Sequence, residues 1–226
     1  MHQPLKPIRD MAGFSLFELV IAMTITLVIL GLAASLLASG FRIRDREESA
    51  SDAAADAQRA LNIMSREIAN AGFNLSTNGV VAGDSDAASI RVRSNLNKFD
   101  TTATNTSRNG VVDAGEDLKY FVNTVSNTAY LVRYDANANK TQVLANRIDQ
   151  LRLHYFAQKV TYSTTDCDIS GASSGEVSPS SAGYIVIALC VRLPASGSPG
   201  TDGYQPASNI LLVSDVTLRN SSLSTY

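Results

Sequence analysis

The 226-residue sequence predicts an α+β fold, with a long N-terminal helix packed on an antiparallel β-sheet domain. Two observations carry this. From Phe14 to Gly40 the chain is apolar, with Glu18 as the one ionisable side chain, and from Ala53 to Ala71 apolar residues recur every three or four positions. Beyond Asn74 the hydrophobic period drops to two, in segments bounded by Asn, Gly, Ser and Asp.

The apolar segment 14–40 would extend about 40 Å as a helix, enough to cross a bilayer. Glu18 is the anomaly in it. A carboxylate at the centre of a membrane helix costs about 3 kcal/mol on insertion scales, and less near an end, so such an acid points to a partner. The plainer alternative is an acid reaching the interface near the helix start, where the helix dipole favours it. The run is too long for the 7 to 15 residue core of an ordinary secretory signal, and the acid is unwelcome there. A signal cleaved near Gly40 and an unprocessed single-span anchor are the competing readings. Lys6 and Arg9 before the span face Arg42, Arg44 and Arg46 after it, so flanking charge does not set orientation.

The stripe Ala53, Ala57, Ala60, Met64, Ile68 and Ala71 belongs to an amphipathic helix that continues the apolar one, with Asp52, Asp56, Arg59, Arg66 and Asn70 elsewhere around the wheel. Gly72 supplies a stop. The predicted organisation is a short polar stretch over 1–13, a spine helix over 14–72 whose halves divide at 40/41, and a β-rich domain over 73–226. Its strands are read from SIRVRS, DLKYFVN, AYLVRYD, TQVLANRIDQLRLHYF, GYIVIALCVRL and NILLVSDVTLRN, with a hairpin in AYLVRYDANANKTQVLA. In GYIVIALCVRL, Ile185, Ile187, Leu189, Val191 and Leu193 share the helix-facing side while Cys190 and Arg192 share the other. Cys167 and Cys190 are the two cysteines, and outside the cytoplasm they are expected to form a disulfide, the alternative being two buried thiols.

The N-terminal stretch MHQPLKPIRDMAG followed by FSLFELV and an uninterrupted apolar run resembles the class III signal of prepilins. The resemblance implies peptidase cleavage between Gly13 and Phe14, which makes 1–13 a cleaved leader and 73–226 an extracytoplasmic domain, N-methylation of Phe14, and a subunit-docking role for Glu18 through the terminal ammonium of a neighbour. A mispaired buried ion pair is penalised by several kcal/mol, so such a pair can select axial register between helices sliding in lipid. ALNIMSREIANAGFN, EDLKYF, YLVRYD, VLANRIDQLRLHYF and VTLRN make the chain similar to the PilW-like minor pilins of the type IV pilus. Where many major pilins carry a helix-bending proline, this chain has Ser35. The implied fold is type IV pilin-like. The implied function is that of a structural and assembly subunit, placed singly across the bacterial inner membrane and then in a pilus on the cell surface. The implied partners are major and other minor pilins, the prepilin peptidase and the inner-membrane assembly platform with its cytoplasmic ATPase. Alternatives are a J-type pseudopilin of type II secretion and a pilus-tip adhesive or DNA-binding module.

Catalysis finds no support in the residues. The two histidines, His2 and His154, fit no triad spacing, and no phosphate loop, zinc-spaced set or dinucleotide fingerprint occurs. His154 is expected at a surface or sheet edge. NTSRNGVVDAGE has the spacing of a weak calcium loop, with Asn105, Ser107, Asn109, Val111 (by its carbonyl), Asp113 and Glu116 as ligands and Gly110 at the turn; calcium is the one cofactor the sequence suggests. Asn137 and Asn139 beside Asp135 are better explained as hairpin-turn chemistry. Arg91 and Arg93 share a strand face, with Lys98, Arg108 and Lys119 near in sequence. With a net charge of −2, a solvated strand face is favoured there over a phosphate-binding strip, and nucleic acid is not an expected partner.

Overall fold

The computed structural model describes residues 15–96, 113–126, 128–201 and 203–219. One helix, α1 (Leu16–Ala69), runs unbroken through both expected halves and past Ser35. It ends on Asn70, after which Gly72 turns the chain with φ +77°, so the expected stop lies just beyond the last helical residue. The stripe is buried as expected: Ala57, Met64, Ile68 and Ala71 are fully inaccessible. Leu61 is buried with them although it stands outside the stripe, because strands embrace the helix from more than one side.

The β domain is two sheets rather than one. The first contains β1 (Ser89–Arg93), β2 (Asp117–Val125), β3 (Thr128–Asp135) and β4 (Lys140–Asn146), in that spatial order and antiparallel throughout. The second has β5 (Ile148–Phe156) beside β8 (Tyr184–Leu193), and β8 beside β9 (Ser208–Thr217). A small ribbon of β6 (Ser163–Thr164) and β7 (Ile169–Ser170) sits between them in sequence. The segment TQVLANRIDQLRLHYF reads as continuous alternation, yet Arg147 adopts φ +57° and sends its two halves into different sheets. The helix packs on β4 of the first sheet and on β8 and β9 of the second.

Strand β8 is the centre of the fold, buried from Tyr184 to Val191. Ile185, Ile187, Leu189, Val191 and Leu193 join the helix stripe in the main core. The opposite side is covered by the 157–182 segment, which folds back to form a second cluster of Phe156, Val160, Ile169, Tyr184 and Val186. A strand buried on both faces reads as an apolar run without alternation, as GYIVIALCVRL does.

Candidate functional site

The feature that sets this chain apart from an ordinary α+β domain is the free half of α1. Among the described residues, the part of the helix from Leu16 to Leu37 is exposed throughout, its Leu, Ile, Val and Met side chains included. An 18-residue window of this helix has a mean hydropathy of 2.5 and is entirely unburied. The helix is long and apolar enough to cross a membrane. Three hydroxyls in and just beyond it bond back to the helix: Thr24 donates to the Ile21 carbonyl at 2.8 Å, Thr26 to Ala22 at 2.7 Å and Ser39 to Leu36 at 2.8 Å. Glu18 is different. It lies exposed in the first turn, and no side chain among the described residues pairs with it. Gly13 and Phe14 lie outside the described residues.

Below this half, α1 is fastened to the domain by polar contacts as well as by its stripe. Arg133 Nε donates to Glu67 Oε2 at 2.9 Å, and the Tyr120 hydroxyl donates to the same carboxylate oxygen. Ser65 donates to Ser214 on β9 at 2.8 Å. At the upper edge, Arg46 donates to the carbonyls of Pro194, at 2.7 Å, and Pro206, and to Ser208 Oγ at 3.2 Å. None of these anchors carries a motif. Glu67 in SREIANAG and Arg46 in RDREE look like ordinary exposed helix charges until the strands that face them are known.

Cys167 and Cys190 form a disulfide, with Cα atoms 5.3 Å apart. It ties the turn between β6 and β7 to the middle of β8, on the side away from the helix. His154 reinforces the same closure. It projects from β5 beneath the 157–182 segment, with Nε2 2.6 Å from Asp168 and Nδ1 2.7 Å from Glu176. Burial opposes the imidazolium, but the Glu176 and Asp168 carboxylates outweigh it and hold the pKa above the usual 6.5. The histidine is at the sheet surface as expected, and it serves there as a half-buried latch.

The arginine strip is engaged by acids of its own sheet and the turn before it. Arg91 grips Asp117 with Nε and Nη2 at 2.6 and 2.8 Å and reaches Asp84 with Nη1 at 2.7 Å. Arg93 meets Asp117 at 2.9 Å, and Lys119 meets Asp84 at 3.3 Å. Asp117 is buried, which would raise its pKa, yet the two guanidiniums carry it below its usual 3.8. Lys98 and Arg108 lie outside the described residues.

Of the calcium-loop residues, Asn105, Ser107, Asn109 and Val111 lie outside the described residues. Asp113 and Glu116 are described. The Glu116 carboxylate accepts the Leu96 and Asp113 amides at 2.6 and 2.9 Å, and the Asp135 carboxylate accepts the Gly115, Asn137 and Ala138 amides. Both acids are thus engaged in holding turns. Among the described residues no group of three His, Cys, Asp or Glu side chains is placed to hold a metal. A cleft of about 1140 Å3 between residues 72–81 and Ser180–Gly183 is walled by apolar side chains such as Phe73 and Leu75 together with amides, hydroxyls and Arg93, and His154 is not among its walls.

Comparison with protein-family profiles, curated proteins and solved structures gives no match to the chain.

Proposed function

We propose that the chain is a membrane-inserted prepilin that matures into a PilW-like minor pilin, a structural subunit of a type IV pilus and not an enzyme. One observation carries the reading: a single helix is divided into an exposed apolar half bearing one unpartnered acid and a half whose stripe is buried under strands. A soluble domain would gain nothing from the exposed half, since leaving a Leu or Ile side chain in water forgoes about 2 kcal/mol each. A simple anchor would gain nothing from Glu18. A subunit that moves from lipid into a helical filament core uses both, burying the apolar surface in either setting and spending Glu18 on a neighbour's terminal amine.

The test is mass spectrometry of the N-terminal peptide from filaments sheared off the cell surface. A peptide starting at methylated Phe14 supports a pilus subunit. The same start found only in membranes favours the secretion pseudopilin, and a start near Gly40 overturns the reading. A Glu18→Ala chain is expected to insert in the membrane normally and to be depleted from sheared filaments; undiminished incorporation removes the docking role. A DNA-capturing module is disfavoured because Arg91, Arg93 and Lys119 already face Asp84 and Asp117.

A further inference from the structure

Between the β6–β7 ribbon and β8 the chain forms a strap with fixed ends and a lightly held middle. One end is tied down by the pairing of Ile169 and Ser170 in the ribbon and by the Cys167–Cys190 bridge beside it. The other end is the short helical turn Pro179–Ser181. There the Pro179 and Ala182 carbonyls accept from Asn78 Nδ2 at 2.9 and 3.0 Å, and Gly183 N–H donates to Phe156 O at 2.9 Å. The run 171–178 between them, GASSGEVS, is exposed except at Ala172 and Val177, which pack against the two core clusters. Ser173 N–H donates to Thr161 O at 2.9 Å, and Thr161 N–H to Ser173 Oγ at 3.0 Å. Val177 N–H donates to Tyr155 O at 2.8 Å, on the outer edge of β5, which is an edge strand of its sheet. Glu176 is the one charged residue in the run, and it meets His154.

The two carboxylates at His154 differ in freedom. Asp168 directly follows the disulfide cysteine, and its Oδ1 also accepts the Ile169 N–H at 2.7 Å, so the ribbon sets its position. The Glu176 side chain is 53% exposed on the run itself. With both ring nitrogens protonated, each carboxylate receives a proton. Once one proton leaves, the bare nitrogen presents its lone pair to an acid, and one acid has to withdraw. Asp168 is the pinned one, so the remaining proton stays on Nε2 and Nδ1 confronts Glu176. The other charged groups around the ring are engaged elsewhere or lack an ion pair. Asp86, in the turn beside β5, accepts the Ala88 and Ser89 amides, Asp215 on β9 accepts from the Tyr162 hydroxyl, and Asp166 accepts from Asn209 at 3.2 Å. β8 presents Val186 opposite His154. Arg152, two residues back on the same face of β5, and Lys159 form no ion pair among the described residues.

We propose that 171–178 is a pH-released strap over the outer edge of β5, closed while His154 is an imidazolium and lifting at Glu176, between its fixed ends, when Nδ1 loses its proton. Local opening of this kind draws on segments with little burial and few backbone bonds, as this one has. Burial works against the imidazolium and the Glu176 and Asp168 carboxylates work for it, with the balance above the usual 6.5. The strap is therefore closed below that pH and opens as pH rises through the folded value. Lifting it frees the Tyr155 carbonyl on a strand edge, the place where a sheet accepts a further strand.

The test is hydrogen exchange of the full-length oxidised chain in detergent micelles at about pH 5.5 and about pH 9, corrected for the intrinsic pH dependence of exchange. The Ser173 and Val177 amides are expected to be protected at the lower pH and to lose protection at the higher, while the β8 amides keep theirs. In Glu176→Gln the amide can donate to a bare Nδ1 and accept from a protonated one, so the strap is expected to stay protected at both values. His154→Gln is expected to remove the pH dependence. Equal protection of the unaltered strap at both values overturns the proposal. Parallel loss at β8 also overturns it, by assigning the dependence to the whole domain, and a Glu176→Gln strap that still opens does so by placing the release at another group.

Discussion

At His154 the chemistry of a single side chain fixes a pH dependence. Both ring nitrogens contact carboxylates, an arrangement that needs both nitrogens protonated, and the folded pKa lies above the unfolded one. A raised folded pKa means the native state holds the proton more tightly. Its stabilisation is complete below about pH 6.5 and is lost as pH rises through the folded value. Melting temperature is expected to fall as pH rises from about 6.5 through the raised folded value, and His154→Gln should flatten that part of the curve. A slope unchanged by the substitution would assign the dependence elsewhere. The sequence discloses a histidine on an alternating strand and nothing of this latch, since Asp168 and Glu176 come from a segment with no periodicity. Glu18 is the opposite case: an acid in an apolar run is conspicuous from sequence alone.

Among the elements, the helix was the most legible, because its two hydrophobic patterns are intrinsic to it. The stripe from Ala53 to Ala71 marks its buried face almost residue for residue, and Leu61 escaped because a narrow stripe presumes packing on one side only. The strands were legible singly, but their division into two sheets was not. Arg147 carries no turn signature, and both flanks alternate in the same way, so the break in TQVLANRIDQLRLHYF emerges only from tertiary packing. The passage from helix to β1 is held by close backbone contact: Gly72 N–H donates to Arg93 O at 2.9 Å, and Arg93 N–H to Gly79 O at 2.7 Å. Gly79 has φ +78°, and a Cβ there would fall 2.0 Å from the Gly72 nitrogen. Gly79→Ala is expected to cost roughly 3 kcal/mol or more in denaturant unfolding. Gly83→Ala, whose Cβ would meet nothing within 4 Å, should stay within about 0.5 kcal/mol of the parent.

For the whole molecule, the disulfide joins the 157–182 cover to the most buried strand. Two cysteines in a segment expected outside the cytoplasm foretold it, and the two-residue period of side chains along a strand foretold the side of β8 on which it forms. Closing a loop between residues 23 apart restricts the unfolded chain by about 3 kcal/mol. Chemical unfolding with a thiol reductant is expected to show that loss, with the helical circular-dichroism signal retained before the transition. Loss of the helical signal on reduction alone would mean that the cover is needed for the helix to dock at all.

The docking of β9 on α1 also orders events in time. Ser65 finds Ser214 across 149 residues, Ala69 O accepts from Arg219 N–H, and Arg46 waits for Pro206 and Ser208. The stripe is thus the first part of the domain to be synthesised and among the last to be covered. Contacts of such long sequence separation form late, after their loop-closure entropy has been met. A chain arrested before residue 208 leaves the ribosome with its stripe bare on the β9 side. Completion of the final strand is what hides it, so a truncated chain advertises itself as unfinished through the surface it would use to fold.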